Sequence, residues 1–144
     1  PGEDIKPLSL VASGGELSRI MLGIKSVLCD NDSIYTLVFD EIDAGISGRT
    51  AQKVSEKLAR IAANHQVICI THLAQIAAMA DRHFVIEKNV SGNRTHTEIR
   101  RLSDEETTGE LARILGGTEI TESVLSNANE MKELAKSWKS ECIQ

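Results

Sequence analysis

Apolar residues recur along this chain in short blocks whose period changes, and each change predicts an element. Leu17, Ile20, Met21, Ile24, Val27 and Leu28 fall at helical spacing. Ser13-Gly14-Gly15-Glu16 stands directly before that stripe and reads as a capping box, with Ser13 as N-cap and Glu16 three residues on. Residues 1–12, with Pro1, Gly2 and Pro7, read as a loop-like lead, and Cys29-Asp30-Asn31-Asp32-Ser33 breaks the helix. Ile34 to Phe39 is β-rich and nearly all apolar, which predicts a strand covered on both faces. An acidic, glycine-containing loop, Asp40 to Gly48, follows it. A second helix is expected from about Arg49 to Ala63, with Val54, Leu58, Ile61 and Ala62 on one stripe. Gln66 to Thr71 reads as a second short buried strand, and Leu73 to Ala80 as a further helix. Strand, helix, strand in this order predicts parallel strands in an α/β layer fold.

The texture changes after Asp81. Phe84-Val85-Ile86 and Thr97-Glu98-Ile99-Arg100 flank Ser91-Gly92-Asn93, the pattern of a β-hairpin with a polar turn. Ser103 and Glu106 make a second capping box for a helix carrying Leu111, Ile114 and Leu115, stopped by Gly116-Gly117. A last helix carries Val124, Ala128, Met131, Ala135 and Trp138 at helical spacing. With no repeats, low-complexity tracts or obvious linkers, one compact lobe is expected.

Composition narrows the class. At 144 residues the chain is one domain or a piece of one. Its first residue, Pro1 rather than Met, reads as the mark of an excised fragment. Aromatics are 3%, so the core must be aliphatic. No apolar run approaches the ~18 residues needed to cross a bilayer and no signal-peptide pattern opens the chain, so neither a membrane span nor the usual secretory route is expected. The formal charge of −5 argues against tight nucleic-acid binding by this chain through charge alone. It leaves room for a local basic patch: Lys88, Arg94, Arg100 and Arg101 could touch phosphates, although Glu87 and Glu98 beside them favour a solvated face. Three widely spaced cysteines, Cys29, Cys69 and Cys142, fit reduced thiols in a cytoplasmic protein better than a disulfide framework.

Three places could carry chemistry. Two glycines after a hydroxyl at a helix start, Ser13 to Glu16, leave backbone N–H groups and the positive end of the helix dipole for an anion, usually phosphate. The plainer reading is a helix start and nothing more. Asp40 and Glu41 emerge at the carboxyl end of an apolar strand, where α/β folds bind ligands. There Asp40 could hold Mg²⁺, usually through water, while Glu41 orients or deprotonates an attacking water; a solvated loop start is the alternative. His72, beyond the strand Val67 to Thr71, could reach the same phosphate or simply cap the core edge. His65, Cys69 and His72 do not make a convincing zinc set, because strand alternation points Cys69 and His72 opposite ways and no C-x-x-C exists. A G-x-S-x-G hydrolase elbow is also absent.

The order of these signals is more specific than any one of them. S-G-G-E-L-S-R, then L-V-F-D-E, then D-A-G-I-S-G, then I-T-H resembles the second half of an ABC-type ATPase head. The matches are the signature motif (Ser13 to Arg19), Walker B (Leu37 to Glu41), the D-loop (Asp43 to Gly48) and the switch histidine (His72). Glutamate after the signature glycines is similar to the SMC and Rad50 branch rather than to transporters. V-A-S-G-G-E-L-S-R-I-M-L, F-D-E-I-D-A-G-I-S-G and T-H-L-A-Q-I-A-A resemble a bacterial DNA-repair member of that branch over essentially the whole chain.

The resemblance implies an α/β fold: the C-terminal lobe of an ABC-type P-loop head, with mostly parallel strands flanked by helices, a small hairpin and C-terminal helices. It implies ATP and Mg²⁺ as cofactors and two heads that dimerise face to face. Asp40 would serve Mg²⁺, Glu41 would position or activate the water, and His72 would contact the γ-phosphate. Ser13, Gly14, Gly15 and Glu16 would reach the nucleotide held by the partner head, with Asp43 near the same interface. No G-x-x-x-x-G-K-[ST] occurs in the chain. In this family that motif lies in the N-terminal lobe of the same polypeptide, beyond a long coiled coil, so the chain alone is expected to bind ATP weakly and not to turn over. The implied partners are that N-terminal lobe, a second head, and DNA in the whole protein, with a cytoplasmic, nucleoid-associated location. A non-catalytic regulatory lobe and, less in keeping with Glu16, a transporter's nucleotide-binding subunit are the competing readings.

Overall fold

The computed structural model describes residue 4 and residues 6–28, 33–91, 94–117 and 119–143. Its contacts group into two compact units, one reaching Leu73 and one running from Ala74 to Cys142, within the stretch expected to form a single lobe. Among the described residues no helix is long and apolar enough to cross a membrane.

The first unit holds helices α1 (Leu8–Val11), α2 (Gly14–Leu28) and α3 (Gly48–Ala62) and strands β1 (Thr36–Phe39) and β2 (Gln66–Cys69). The expected loop-like lead is corrected by α1. Pro7 has a φ of −53° and stands where its missing N–H removes no helical bond, so it admits a turn of helix. The Cys29 to Asp32 part of the expected break, like Pro1 and Gly2, lies outside the described residues. Strands β1 and β2 pair in parallel, Thr36 against Gln66 through Phe39 against Cys69. The α/β expectation therefore holds where it matters for the candidate site.

Coverage on both faces does not hold. Leu37 and Phe39 are buried, but Val38 is 64% exposed between them, and its partner Ile68 is 46% exposed. A strand alternates its side chains, and among the described residues the side carrying Val38 and Ile68 is left open. Strand β2 also stops at Cys69 rather than Thr71, leaving Thr71 and His72 on a connecting loop. The α2 stripe is open too: Leu22 is buried, while Ile20, Met21, Ile24 and Val27 are exposed. Helix α3, by contrast, buries the expected Val54, Leu58 and Ile61.

The second unit holds α4 (Ala74–Ala78), β3 (Phe84–Ser91), β4 (Arg94–Arg101), α5 (Asp104–Gly116) and α6 (Glu122–Cys142). Alanines make its core: Ala74, Ala78, Ala112 and Ala128 surround Leu111, which lets the three helices approach closely. The second capping box is present, the Ser103 side chain accepting from the Glu106 amide and the Glu106 side chain accepting from the Ser103 amide. Gly117, at φ +69°, ends α5 in a conformation only glycine adopts freely. The hairpin is longer than its sequence signal, pairing Phe84 with Arg101 and Ser91 with Arg94; Gly92 and Asn93 of the expected turn lie outside the described residues.

Candidate functional site

The site is built where α2 begins and β1 ends. The first capping box closes as its sequence predicts: the Ser13 amide and hydroxyl both donate to Glu16 Oε2 at 2.8 Å, and the Glu16 amide donates back to Ser13 Oγ at 3.4 Å. The Ser13 amide, then the hydroxyl, hold the exposed Glu16 carboxyl below the usual carboxylate range. The Gly14 and Gly15 amides, in the first turn, have no intrahelical acceptor. Ser13 and Glu16 thus engage each other, so an incoming anion must compete with the Glu16 carboxylate for the Ser13 hydroxyl.

The same turn is fastened to the loop after β1. Ser18 Oγ donates to the Asp40 carbonyl at 2.7 Å, and Arg19 donates to the carbonyls of Ile42 at 3.1 Å and Ala44 at 2.8 Å. A Cβ on Gly15 would lie 2.6 Å from the Glu41 carbonyl oxygen and 2.9 Å from Ala44 Cβ, so only glycine permits this approach. A Cβ on Gly14 would collide with the Glu41 carboxylate. Gly15 is therefore a packing device as well as a source of a free amide, whereas the carboxylate near Gly14 ends a side chain that can swing aside. Glu41 itself sits at φ +56°, a left-handed conformation that costs a non-glycine residue about 1–2 kcal/mol. Its amide donates to Asp40 Oδ1 at 2.9 Å, and its carbonyl accepts from the Ala44 amide at 2.9 Å. The strain is held by the tight Asp40–Ala44 turn and by Arg19 beneath it.

Asp43 faces the other way. It is 3% exposed, and its Oδ2 accepts from the Thr71 hydroxyl at 2.6 Å and the His72 amide at 2.8 Å, with His72 Nδ1 at 3.0 Å. Burial alone would raise its pKa; the Thr71 and His72 bonds and the adjacent imidazole outweigh that and hold the carboxyl below its ordinary value. The sequence reading sets Asp43 beside His72 only as motifs in order, whereas the fold ties them together. Among the described residues no hydrogen bond or ion pair links Asp40 or Glu41 to His72.

Three contributors escaped the sequence reading as individuals. Ser18 and Arg19 belong to the signature-like stretch but carry no signal of what they hold. Thr71 was read only as the end of a strand. Elsewhere, Arg100 pairs with Glu106 at 2.5 Å, Glu87 stands opposite Glu98 across the hairpin, and the Arg94 side chain lies outside the described atoms. No group of three or more His, Cys, Asp or Glu among the described residues is arranged to hold a metal ion. Asp40 offers a single carboxylate, with Oδ1 engaged by the Glu41 amide. That suits Mg²⁺ held chiefly by water and phosphate rather than by a protein cage.

Cys69, opposite Phe39 in the parallel ladder, is half-buried. Burial, reinforced by Asp43 and Asp40, pushes its thiol up to about 12. In a variant where Cys29 and Cys142 are serine, Cys69 is expected to react with a thiol reagent at pH 8 about a thousandfold slower than an ordinary exposed cysteine. Labelling in urea should restore the ordinary rate. Rapid labelling of the folded variant would contradict the burial described.

The chain is 49% identical over 139 residues to the DNA repair protein RecN of Halalkalibacterium halodurans, covering 96% of this chain and 25% of that protein. RecN of Bacillus subtilis is 46% identical over 134 residues, and RecN of Haemophilus influenzae 47% over 133. The chain thus spans about a quarter of the length of the curated relatives it matches, in their C-terminal portion. No family model matches it. Among solved structures, one from work on ATP-driven dimerisation and DNA-stimulated activation of SMC ATPases superposes with a TM-score of 0.53 at 19% identity, covering 82% of this chain and 70% of that one. At that identity the likeness speaks for the fold.

Proposed function

Because the chain is related to the RecN proteins along nearly its whole length, we propose that it is the C-terminal part of an SMC-like ATPase head that works in DNA repair. The observation that carries this reading is the fastening of the α2 start to the Asp40–Ala44 turn through Ser18, Arg19 and Gly15. It joins a phosphate-suited helix start to the acidic end of a parallel strand, as expected if the signature-like and Walker B-like stretches form one working surface. ATP with Mg²⁺ supplies the transferable phosphoryl group and the charge neutralisation of such a site. Asp40 would hold the metal through water, Glu41 would orient and deprotonate the attacking water, and His72 would meet the phosphoryl oxygens. The amides of Gly14 and Gly15 would serve the nucleotide of a second head, coupling nucleotide to head dimerisation.

Since the chain has no P-loop, the phosphate cradle and its lysine must come from the N-terminal lobe of the same polypeptide. That lobe is the occupant proposed for the open outer face of β1 and β2. DNA contact is assigned to the assembled protein, because this chain carries a net charge of −5. The test is reconstitution. The 144-residue chain alone should show no ATP turnover, and mixing it with the P-loop-bearing segment of its own protein should produce Mg²⁺-dependent turnover. Turnover by the chain alone, or a silent mixture that nonetheless forms a stable complex, would sink the reading.

A further inference from the structure

The Asp43 contacts carry an inference about how His72 is used, and it rests on the ATPase reading above. Asp43 Oδ2 receives three groups at once: Thr71 Oγ1 at 2.6 Å, the His72 amide at 2.8 Å and His72 Nδ1 at 3.0 Å. Thr71 Oγ1 in turn accepts from the Leu73 amide at 3.1 Å, so its one hydroxyl proton is directed at Asp43. The carboxylate is 3% exposed, while the His72 side chain is 74% exposed. One end of the imidazole is thus anchored inside the protein and the rest stands in solvent.

An ionised carboxylate only accepts hydrogen bonds. At 3.0 Å from it, Nδ1 must carry a proton, and Nε2 is the nitrogen presented to a ligand. Asp43 cannot at the same time reach across to a nucleotide on another head, because its carboxylate is enclosed by the Thr71–His72 loop. We propose that Asp43 is a positioning residue: by holding Nδ1–H it fixes the direction of the His72 ring so that Nε2, carrying a proton once the ring stands between two anions, donates to an oxygen of the transferred phosphoryl group, and Asp43 makes no contact with nucleotide itself. This assigns the Asp43 carboxylate to His72 rather than to nucleotide.

Two measurements test it. In the chain labelled with ¹⁵N-histidine, the ring nitrogens of His72, identified by their loss in His72→Gln, should show the Nδ1–H tautomer. Asp43→Ala removes the acceptor and should shift the neutral His72 ring toward Nε2–H, the form a free imidazole favours; Thr71→Val should leave the tautomer unchanged. The wild-type spectrum needs no variant to fold, and an Nε2–H tautomer there would overturn the proposal. So would an unaltered spectrum in folded Asp43→Ala. In the full-length protein, Asp43→Ala should lower kcat for ATP at least roughly tenfold with KM within about twofold. A rise in KM at unchanged kcat would instead mean that Asp43 touches nucleotide, and would overturn the positioning role. Absence of ATP turnover in the wild-type full-length protein would overturn the ATPase reading, and with it the role of Asp43, whatever the tautomer. The two failures are therefore distinguishable.

Discussion

Glu41→Gln in the full-length protein is expected to cut ATP turnover by roughly 10²–10⁴-fold while ATP binding persists. The substitution keeps the shape and length of the side chain and removes only its capacity to take a proton and to hold negative charge beside the water. The backbone should not notice it, because the φ of +56° costs glutamine about what it costs glutamate. ATP-bound dimers should then accumulate, read as a shift in mass by light scattering on adding ATP and Mg²⁺. Turnover within a few-fold of wild type would remove Glu41 from the reaction. Glu41→Gly separates the two properties of the position. It relieves the left-handed strain and should stabilise the folded chain by about 1 kcal/mol, yet leave it as inactive as the glutamine variant once assembled. A destabilised Glu41→Gly would mean that the carboxylate, rather than the turn, holds this backbone.

The largest stability effect is expected directly beside it. Ile42 is 0% exposed, and its carbonyl receives Arg19. Ile42→Ala should cost about 2–5 kcal/mol, since the cavity forms under a turn that Arg19 and Gly15 pin from the other side and cannot readily collapse. In a unit of this size that is a fall in Tm of roughly 10 °C or more. Val38→Ala, at a side chain 64% exposed, should change the chain alone by no more than about 0.5 kcal/mol. The same Val38→Ala in the full-length protein should cost well over that if the P-loop-bearing lobe covers the strand. Equal effects of Val38→Ala in both contexts would leave the outer face without its proposed occupant.

What the sequence made legible was local. Both capping boxes, around Ser13 and Ser103, follow from a hydroxyl and a carboxylate three residues apart, and both close as read. The parallel pairing of β1 with β2 follows from two apolar runs separated by a helix. The exposure of Val38 and Ile68 was not legible, because an exposed apolar residue in a strand looks the same in sequence as a buried one. Helix α1 was hidden by Pro7, which signals a helix start as readily as a loop. The Asp43–Thr71 bond joins residues 28 apart, and Arg19 reaches carbonyls 23 and 25 positions away. Such contacts depend on tertiary folding, and residue type says only that Arg19 needs acceptors. The motifs point to which residues to weigh; what each of those side chains bonds to is not written in them.

The open side of β1, with Val38, and of β2, with Ile68, together with Ile20, Met21, Ile24 and Val27 along α2, has a meaning for the life of the polypeptide. Fully burying one such side chain is worth about 1.5–3 kcal/mol, so covering six that are roughly half exposed is worth on the order of 5–10 kcal/mol. That rivals the whole stability of a small domain. In the proposed assembly the P-loop-bearing lobe would cover the strand face, and until it did, these side chains would be what chaperones and proteases recognise. On that assembly the quantity of this lobe surviving in a cell would be set by the supply of the covering lobe, and uncovered copies would be cleared before they accumulate.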